Sequence, residues 1–253
     1  VELIGVDYES ILDRQSIKPN EKIFVLDFCF PKDDMLWLNK YANLIWCDHH
    51  KTSMETMSAH AKQIAGFREI GKAGCELTWA WVHPNKPIPW VVWTLGRYDV
   101  WDHEASKHIL PFQYGMHQQK STLPNARIWS ACFKDSFKSP LIQKILSEGK
   151  LILKYEKHQN AKYAKAMSYE ANFMNFQAIV MNKSFSNSLS FDAVYDPDKH
   201  DIMIMFSMKD LDSNIKYSIF SDKPEIDVSV LANKMGGGGH KNAAGFYTTK
   251  RII

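Results

Sequence analysis

The sequence predicts an α/β protein in which a parallel-sheet domain is joined by a helical connector to a smaller α/β domain at the C-terminus. Three observations predict it. Ile23-Phe24-Val25-Leu26 and Leu44-Ile45-Trp46-Cys47 are continuous β-prone apolar runs, the pattern of strands covered on both faces. Between them Pro31-Lys32-Asp33-Asp34 opens a helical stretch through Met35, Leu36, Leu38 and Tyr41. Strand, helix and strand at this distance form a βαβ unit with parallel strands. Further on, Leu141, Ile142, Ile145, Leu146, Leu151, Leu153 and Tyr155 recur at helical spacing within 140–173, and beyond them the pattern changes to short strands.

In chain order, 1–8 reads as a strand without a preceding turn or cap, followed by the βαβ unit. Helices are expected around 54–65, 75–82 and 90–95, separated at Gly66 and at Pro84-Asn85-Lys86-Pro87. Strands are expected at 177–181, 192–195, 202–208 and 216–220, then a helix at about 228–235 and a last strand at 246–249. The domains this suggests are 1–138, a connector 139–174, and 175–253. There is no internal repeat and no low-complexity tract.

Bulk properties narrow the function. Hydrophobic content of 45% with 23% charged residues is that of a globular protein with a real core. A formal charge of +3 argues against coating long nucleic acid and permits small anionic substrates. Cys29, Cys47, Cys75 and Cys132 form no Cys-x-x-Cys pair, which suits reduced thiols in a cytoplasmic protein. No apolar run is long enough for a membrane span, and there is no signal-peptide pattern. No protein partner is evident, and a homo-oligomer stays open.

The residues that carry chemistry stand at strand ends. Asp27 closes one apolar run and Asp48-His49-His50 the next. Open parallel sheets place ligands beyond the carboxyl ends of their strands, so both should meet on one rim. Carboxylate with imidazole suits Mn²⁺, Zn²⁺ or iron better than Ca²⁺. In Gly96-Arg97-Tyr98-Asp99-Val100-Trp101-Asp102-His103, Asp99 and Asp102 would face one way if the segment were helical. The roles of Asp102 and His103 stay open. Gly236-Gly237-Gly238-Gly239-His240 is the most unusual string. Four glycines allow backbone amides to approach a phosphate and to form an anion-binding nest, and Lys241 and Asn242 suit the same role.

Asp48-His49-His50 at a strand end, with Gly237-Gly238-Gly239-His240-x-x-Ala243-Ala244-Gly245-Phe246 near the C-terminus, resembles the DHH phosphoesterase superfamily with its DHH-associated C-terminal domain. The two signatures lie about 190 residues apart, and the resemblance covers nearly the whole chain. It implies a hydrolase of phosphodiesters or phosphoanhydrides that uses two divalent ions, usually Mn²⁺. Members include exonucleases, short-oligonucleotide and cyclic-dinucleotide phosphodiesterases, and inorganic pyrophosphatases. The pyrophosphatases have a different C-terminal domain, so the glycine-histidine loop points to short oligonucleotides or related nucleotide phosphodiesters. A cyclic-dinucleotide or phosphoanhydride hydrolase, or a non-catalytic nucleotide-binding protein, is the alternative. By resemblance, Asp27 bridges both metals, His49 and Asp99 ligate the second, and His50 contacts the phosphate with a catalytic role. Gly238, Gly239 and His240 hold the substrate, His240 also in a catalytic role.

The chain departs from the family pattern in two places. The His-x-x-x-Asp-x-Asp strand that supplies most ligands of the first metal has no match before Asp27. The pairs Asp196/Asp198 and Asp210/Asp212 lack the preceding His and read as turns. The arginine of a Ser-x-Arg-Ser-like string is also missing, since Ser218-Ile219-Phe220-Ser221 stands there. The expectation is that the chain binds at most about one metal, weakly, and that a strand and helix of roughly 30 residues would complete the unit upstream.

Overall fold

The computed structural model describes residues 2–7, 10–120, 123, 126–134, 137–208 and 214–253. The chain divides into two compact units, Val1–Leu153 and Lys154–Ile253.

In the first unit, β1 (Lys22–Leu26) and β2 (Asn43–Cys47) are joined by α1 (Lys32–Tyr41). The strands pair in parallel with Leu26 opposite Cys47, as the βαβ reading requires. Asp33 and Asp34 in the first turn of α1 and Lys40 in its last suit the helix dipole. The other edge of β2 is occupied as well: the Trp46 amide donates to Ala65 O at 2.8 Å and the Asp48 amide to Phe67 O at 3.1 Å. β2 is therefore central, which explains the complete burial of Trp46, Cys47 and Asp48.

Alternation along β2 sorts its side chains between two faces. Leu44 and Trp46 pack with Met35 and Leu38 of α1. Ile45 and Cys47 pack with Leu77 on the other face. The helices that follow are α2 (Lys51–Thr56), α3 (Gly74–Val82), α4 (Trp90–Asp99), α5 (Ile109–Met116) and α6 (Arg127–Lys134). The helix α7 (Pro140–Met167) then begins in this unit. Val91 and Val92 of α4, Phe112 and Met116 of α5, Cys132 of α6, and Ile142, Ile145 and Leu146 of α7 form one buried cluster.

The second unit is a six-stranded sheet in the order β3-β4-β5-β6-β8-β7. Its strands are β3 (Ser168–Phe173), β4 (Phe176–Asn182), β5 (Ile202–Ser207), β6 (Ile215–Phe220), β7 (Gly238–Gly239) and β8 (Ala243–Thr248). The helix α8 (Val228–Lys234) precedes β7. Only β4 and β5 pair in parallel; the other neighbours are antiparallel. Ala178, Val180, Ile202 and Ile204 face Val228, Leu231 and Ala232 of α8, while Ile179, Met181, Met203 and Met205 face Ala164 of α7 and Phe191. Both faces are covered, so 178–181 of β4 and 202–206 of β5 are apolar at every position.

Several local expectations are corrected. Residues 2–7 form no strand, and Leu3 and Ile4 are exposed; Val1 and Tyr8 lie outside the described residues. The helix at 54–65 is the short α2 followed by a 3₁₀ turn at Ala61–Gln63. The helix expected to run to 173 ends at Met167, and 168–173 is strand β3. Residues 192–195 are turn, not strand, because Val194 and Tyr195 amides donate back to Phe191 O at 2.8 Å. Asp210 and Asp212 lie outside the described residues. The Asp196 carboxylate accepts from the Asp198 amide at 3.0 Å, a local turn contact. Among the described residues no helix is long and apolar enough to cross a membrane. The four cysteines are free thiols.

Candidate metal centre

Asp27 follows β1 directly, and its amide donates to Cys47 O at 2.8 Å, extending the ladder by one residue. Its φ of +55° then turns the chain into the left-handed region, which an aspartate tolerates better than most residues. One strand over, Asp48, His49 and His50 follow β2. Asp99 is the last residue of α4.

The structure brings Asp27, His49 and Asp99 together. His49 Nε2 lies 3.1 Å from Asp27 Oδ1 and 3.1 Å from Asp99 Oδ2. The imidazole is buried, with 2% exposure, while both carboxylates are nearly half exposed. Burial pushes the His49 imidazole down. The hydrogen bonds to Asp27 and Asp99, and their negative charge, outweigh it and raise the group to about 9. Asp27 and Asp99 thus both favour the protonated imidazole.

His50 belongs to an adjoining arrangement. Its Nδ1 meets Asp48 Oδ1 at 2.7 Å. The same oxygen accepts from the His49 amide at 2.7 Å and the His50 amide at 3.2 Å. Asp48 is fully buried, and its Oδ2 has no hydrogen-bond partner among the described residues. The first residue of the triplet therefore locks the backbone of the other two and fixes the ring of the third.

These groups fit a divalent cation. One nitrogen and two carboxylate oxygens, from Asp27, His49 and Asp99, lie within 4.8 Å of one another. Asp27, Asp48 and His50 form a second such group sharing Asp27. A cation that takes His49 Nε2 would have to displace the proton that Asp27 and Asp99 favour there. The exposed carboxylates leave room for water or substrate to complete the coordination. A nitrogen and oxygen donor set suits Mn²⁺, Zn²⁺ or iron.

Among the described residues, Asp102 and His103 are in neither of these two groups. Asp102 lies beyond the end of α4, so it does not share a helical face with Asp99; its Oδ2 is 3.4 Å from Arg97 Nη1. Burial pushes the His103 imidazole down, and its ring packs on Trp101 at 4.0 Å. Gly238, Gly239 and His240 lie in the second unit, at β7 and the turn into β8. Gly238 pairs with Gly245 and Gly239 with Ala244. The amides of Gly236, Gly237 and His240 donate to Asn233, Ala232 and Ala243 carbonyls. These three amides are spent on the protein's own backbone, so the expected anion nest does not form from them. Gly237 serves close approach: a Cβ there would lie 2.1 Å from Gly245 O. Asn242 Nδ2 donates to Ser221 O at 3.0 Å.

Three residues beside the metal centre escaped sequence reasoning: Gly74, Glu76 and Arg97. Gly74 opens α3 against Asp27, and a Cβ there would lie 2.5 Å from Asp27 Oδ1. Glu76 is buried and accepts from the Ala73 amide at 2.9 Å and from Arg97 Nη2 at 2.5 Å. The only sequence signal was Glu76 at the third position of a helix, where a carboxylate often reaches back to the chain before it.

Comparison with solved structures gives the fold. The chain resembles the DHH domain of a protein assigned to a family of ribosomal proteins, at TM-score 0.55 and 14% identity, over 89% of this chain and 65% of that one. The fold is that of a DHH domain. A weaker likeness, at TM-score 0.44 and 13% identity, is to the pGpG-specific phosphodiesterase PggH from Vibrio cholerae, over 87% of this chain and 83% of that one. Among curated proteins, an uncharacterized protein, R106, of Acanthamoeba polyphaga mimivirus is 26% identical over 231 residues, 89% of this chain. The chain spans about half the length, 53%, of that relative. No family model matches. In the DHH fold found here, Asp27, Asp48, His49 and His50 stand beyond the carboxyl ends of neighbouring parallel strands, where such sheets place their ligands.

Proposed function

We propose that the protein is a metal-dependent phosphoesterase of the DHH type that hydrolyses phosphodiester bonds of short oligonucleotides or related nucleotides. The observation that carries this reading is the convergence of Asp27 and Asp99 on His49 Nε2, each at 3.1 Å, at the strand ends of a DHH fold. Asp27, His49 and Asp99 would hold one divalent ion, Mn²⁺ in this proposal, and Asp27 would be shared with a second. When bound, the ions would supply a hydroxide nucleophile at neutral pH and neutralise charge on the phosphoryl group.

The chain's own residues have distinct tasks. Asp27 and Asp99 provide anionic oxygens at an exposed rim, and His49 offers Nε2 once its proton leaves. His50, its Nδ1 fixed by Asp48, would donate from the other edge of the ring to a phosphoryl oxygen. A C-terminal region of the DHH-associated type would contribute Gly238, Gly239 and His240 to holding the substrate phosphate. The modest charge of +3 agrees with a short anionic substrate better than with a long polymer.

The test is a substrate panel on the full-length protein with Mn²⁺: dinucleotides, short RNA, long RNA, cyclic dinucleotides and pyrophosphate. Dinucleotides and short RNA should turn over fastest, and Asp27→Asn should abolish turnover. Preference for long polymers or pyrophosphate, or turnover that survives EDTA, would overturn the proposal.

A further inference from the structure

The two carboxylates that meet His49 are held by the ends of different helices. Asp27 lies against the start of α3, where Gly74 leaves no room for a Cβ. Asp99 is carried by the last turn of α4. What sets the distance between the two is therefore the packing of the first turn of α3 on the last turn of α4.

One ion pair joins those two turns. Arg97 Nη2 lies 2.5 Å from Glu76 Oε2 and 3.1 Å from Gly71 O, and Nη1 lies 3.4 Å from Asp102 Oδ2. The guanidinium thus grips the loop before α3, α3 itself and the loop after α4. Glu76 is 4% exposed and the Arg97 side chain 15%. The residue preceding Arg97 is part of the device: a Cβ on Gly96 would lie 2.7 Å from Glu76 Cδ. Only glycine lets α4 settle this closely on the carboxylate. Buried ion pairs are weak contributors to net stability, since desolvation offsets much of their attraction. A three-pronged arginine that fixes geometry is a use such a pair does serve.

We infer that Arg97, through Glu76, is a positioning residue that holds Asp99 at metal-binding distance from His49 and Asp27. This rests on the proposed reading of Asp27, His49 and Asp99 as metal ligands. It assigns work to Arg97 and Glu76, which touch none of the three ligands through the contacts described.

The test uses Mn²⁺ titration by calorimetry on wild type, Arg97→Lys and the double variant Glu76→Gln/Arg97→Gln, each with its melting temperature. Lysine keeps a positive charge beside Glu76 but cannot reach three partners at once. The double variant removes both buried charges and leaves only the exposed Asp102 carboxylate without its arginine. Either variant, folded at the assay temperature, should bind Mn²⁺ about 10- to 100-fold more weakly, the range for losing a group that orients a ligand. In an Asp99→Ala background the Arg97→Lys loss should vanish, because the arginine then has no ligand to position. Unchanged affinity in both variants, or the same loss with and without Asp99, would overturn this inference alone. A wild-type protein that binds no Mn²⁺ would overturn the metal-centre reading and this inference with it.

Discussion

Metal binding at this centre should expel a proton, and the size of the effect follows from His49. With the imidazole raised to about 9 by Asp27 and Asp99, roughly 99% of it is protonated at pH 7. A cation that takes Nε2 must displace that proton, which weakens its apparent affinity at pH 7 by about two powers of ten, or about 3 kcal/mol. The apparent Kd for Mn²⁺ should therefore fall by about 10-fold per pH unit between about 6.5 and 8.5. Metal-free stability should run the other way. The folded-state value lies above the ordinary 6.5, so the stabilisation is fully present below pH 6.5 and is lost as pH rises through about 9. The assay is calorimetric titration in oxygen-free buffers of different ionisation enthalpy, which reads affinity and proton release together. Release near one proton per ion at pH 7 supports a His49 held protonated by the two carboxylates. An affinity that changes less than about threefold from pH 6.5 to 8.5, with no proton released, would refute it.

Three further outcomes are expected. Asp48→Asn removes the charge that fixes the His50 ring, so dinucleotide hydrolysis should fall by about 10- to 100-fold while the Mn²⁺ Kd of the Asp27, His49 and Asp99 centre, measured by calorimetry, stays unchanged. Gly74→Ala places a methyl against Asp27, so either the carboxylate or α3 must shift; the Mn²⁺ Kd should rise by about tenfold or more, matching an overpacking cost of roughly 1–3 kcal/mol. His240→Ala should lower turnover by about 10²-fold without metal loss if this residue stabilises charge on the substrate, and loss of metal with activity would show that its role is wrongly assigned.

How much was legible in the sequence depended on whether local pattern and tertiary role agreed. β1, α1 and β2 were readable because continuous apolar runs end at Asp27 and at the Asp48 triplet; β2 is buried on both faces as expected, whereas Phe24 and Leu26 on one face of β1 are exposed. β3 was hidden: Tyr169, Ala171 and Phe173 continue the 28-residue helix α7 with no glycine or proline between. The glycine run was visible, but the close approach of two backbones and an open nest ask for the same residue, and only the hydrogen bonds of Gly236, Gly237 and His240 separate them. Asp99 came from the resemblance. Asp102 was grouped with it because the helix end at Asp99 could not be seen. Arg97 and Gly74 had no signal at all, since their roles arise from the meeting of α3 and α4, which sequence spacing does not encode.

The central claim is that Asp27, His49 and Asp99 hold a divalent ion. It is tested most directly by the anomalous scattering of Mn²⁺ in crystals of the protein soaked with that ion. The account predicts a peak within coordination reach of His49 Nε2 and of one oxygen each from Asp27 and Asp99. A soaked crystal in which His49 keeps its hydrogen bonds to both carboxylates, with no ion between them, would contradict it.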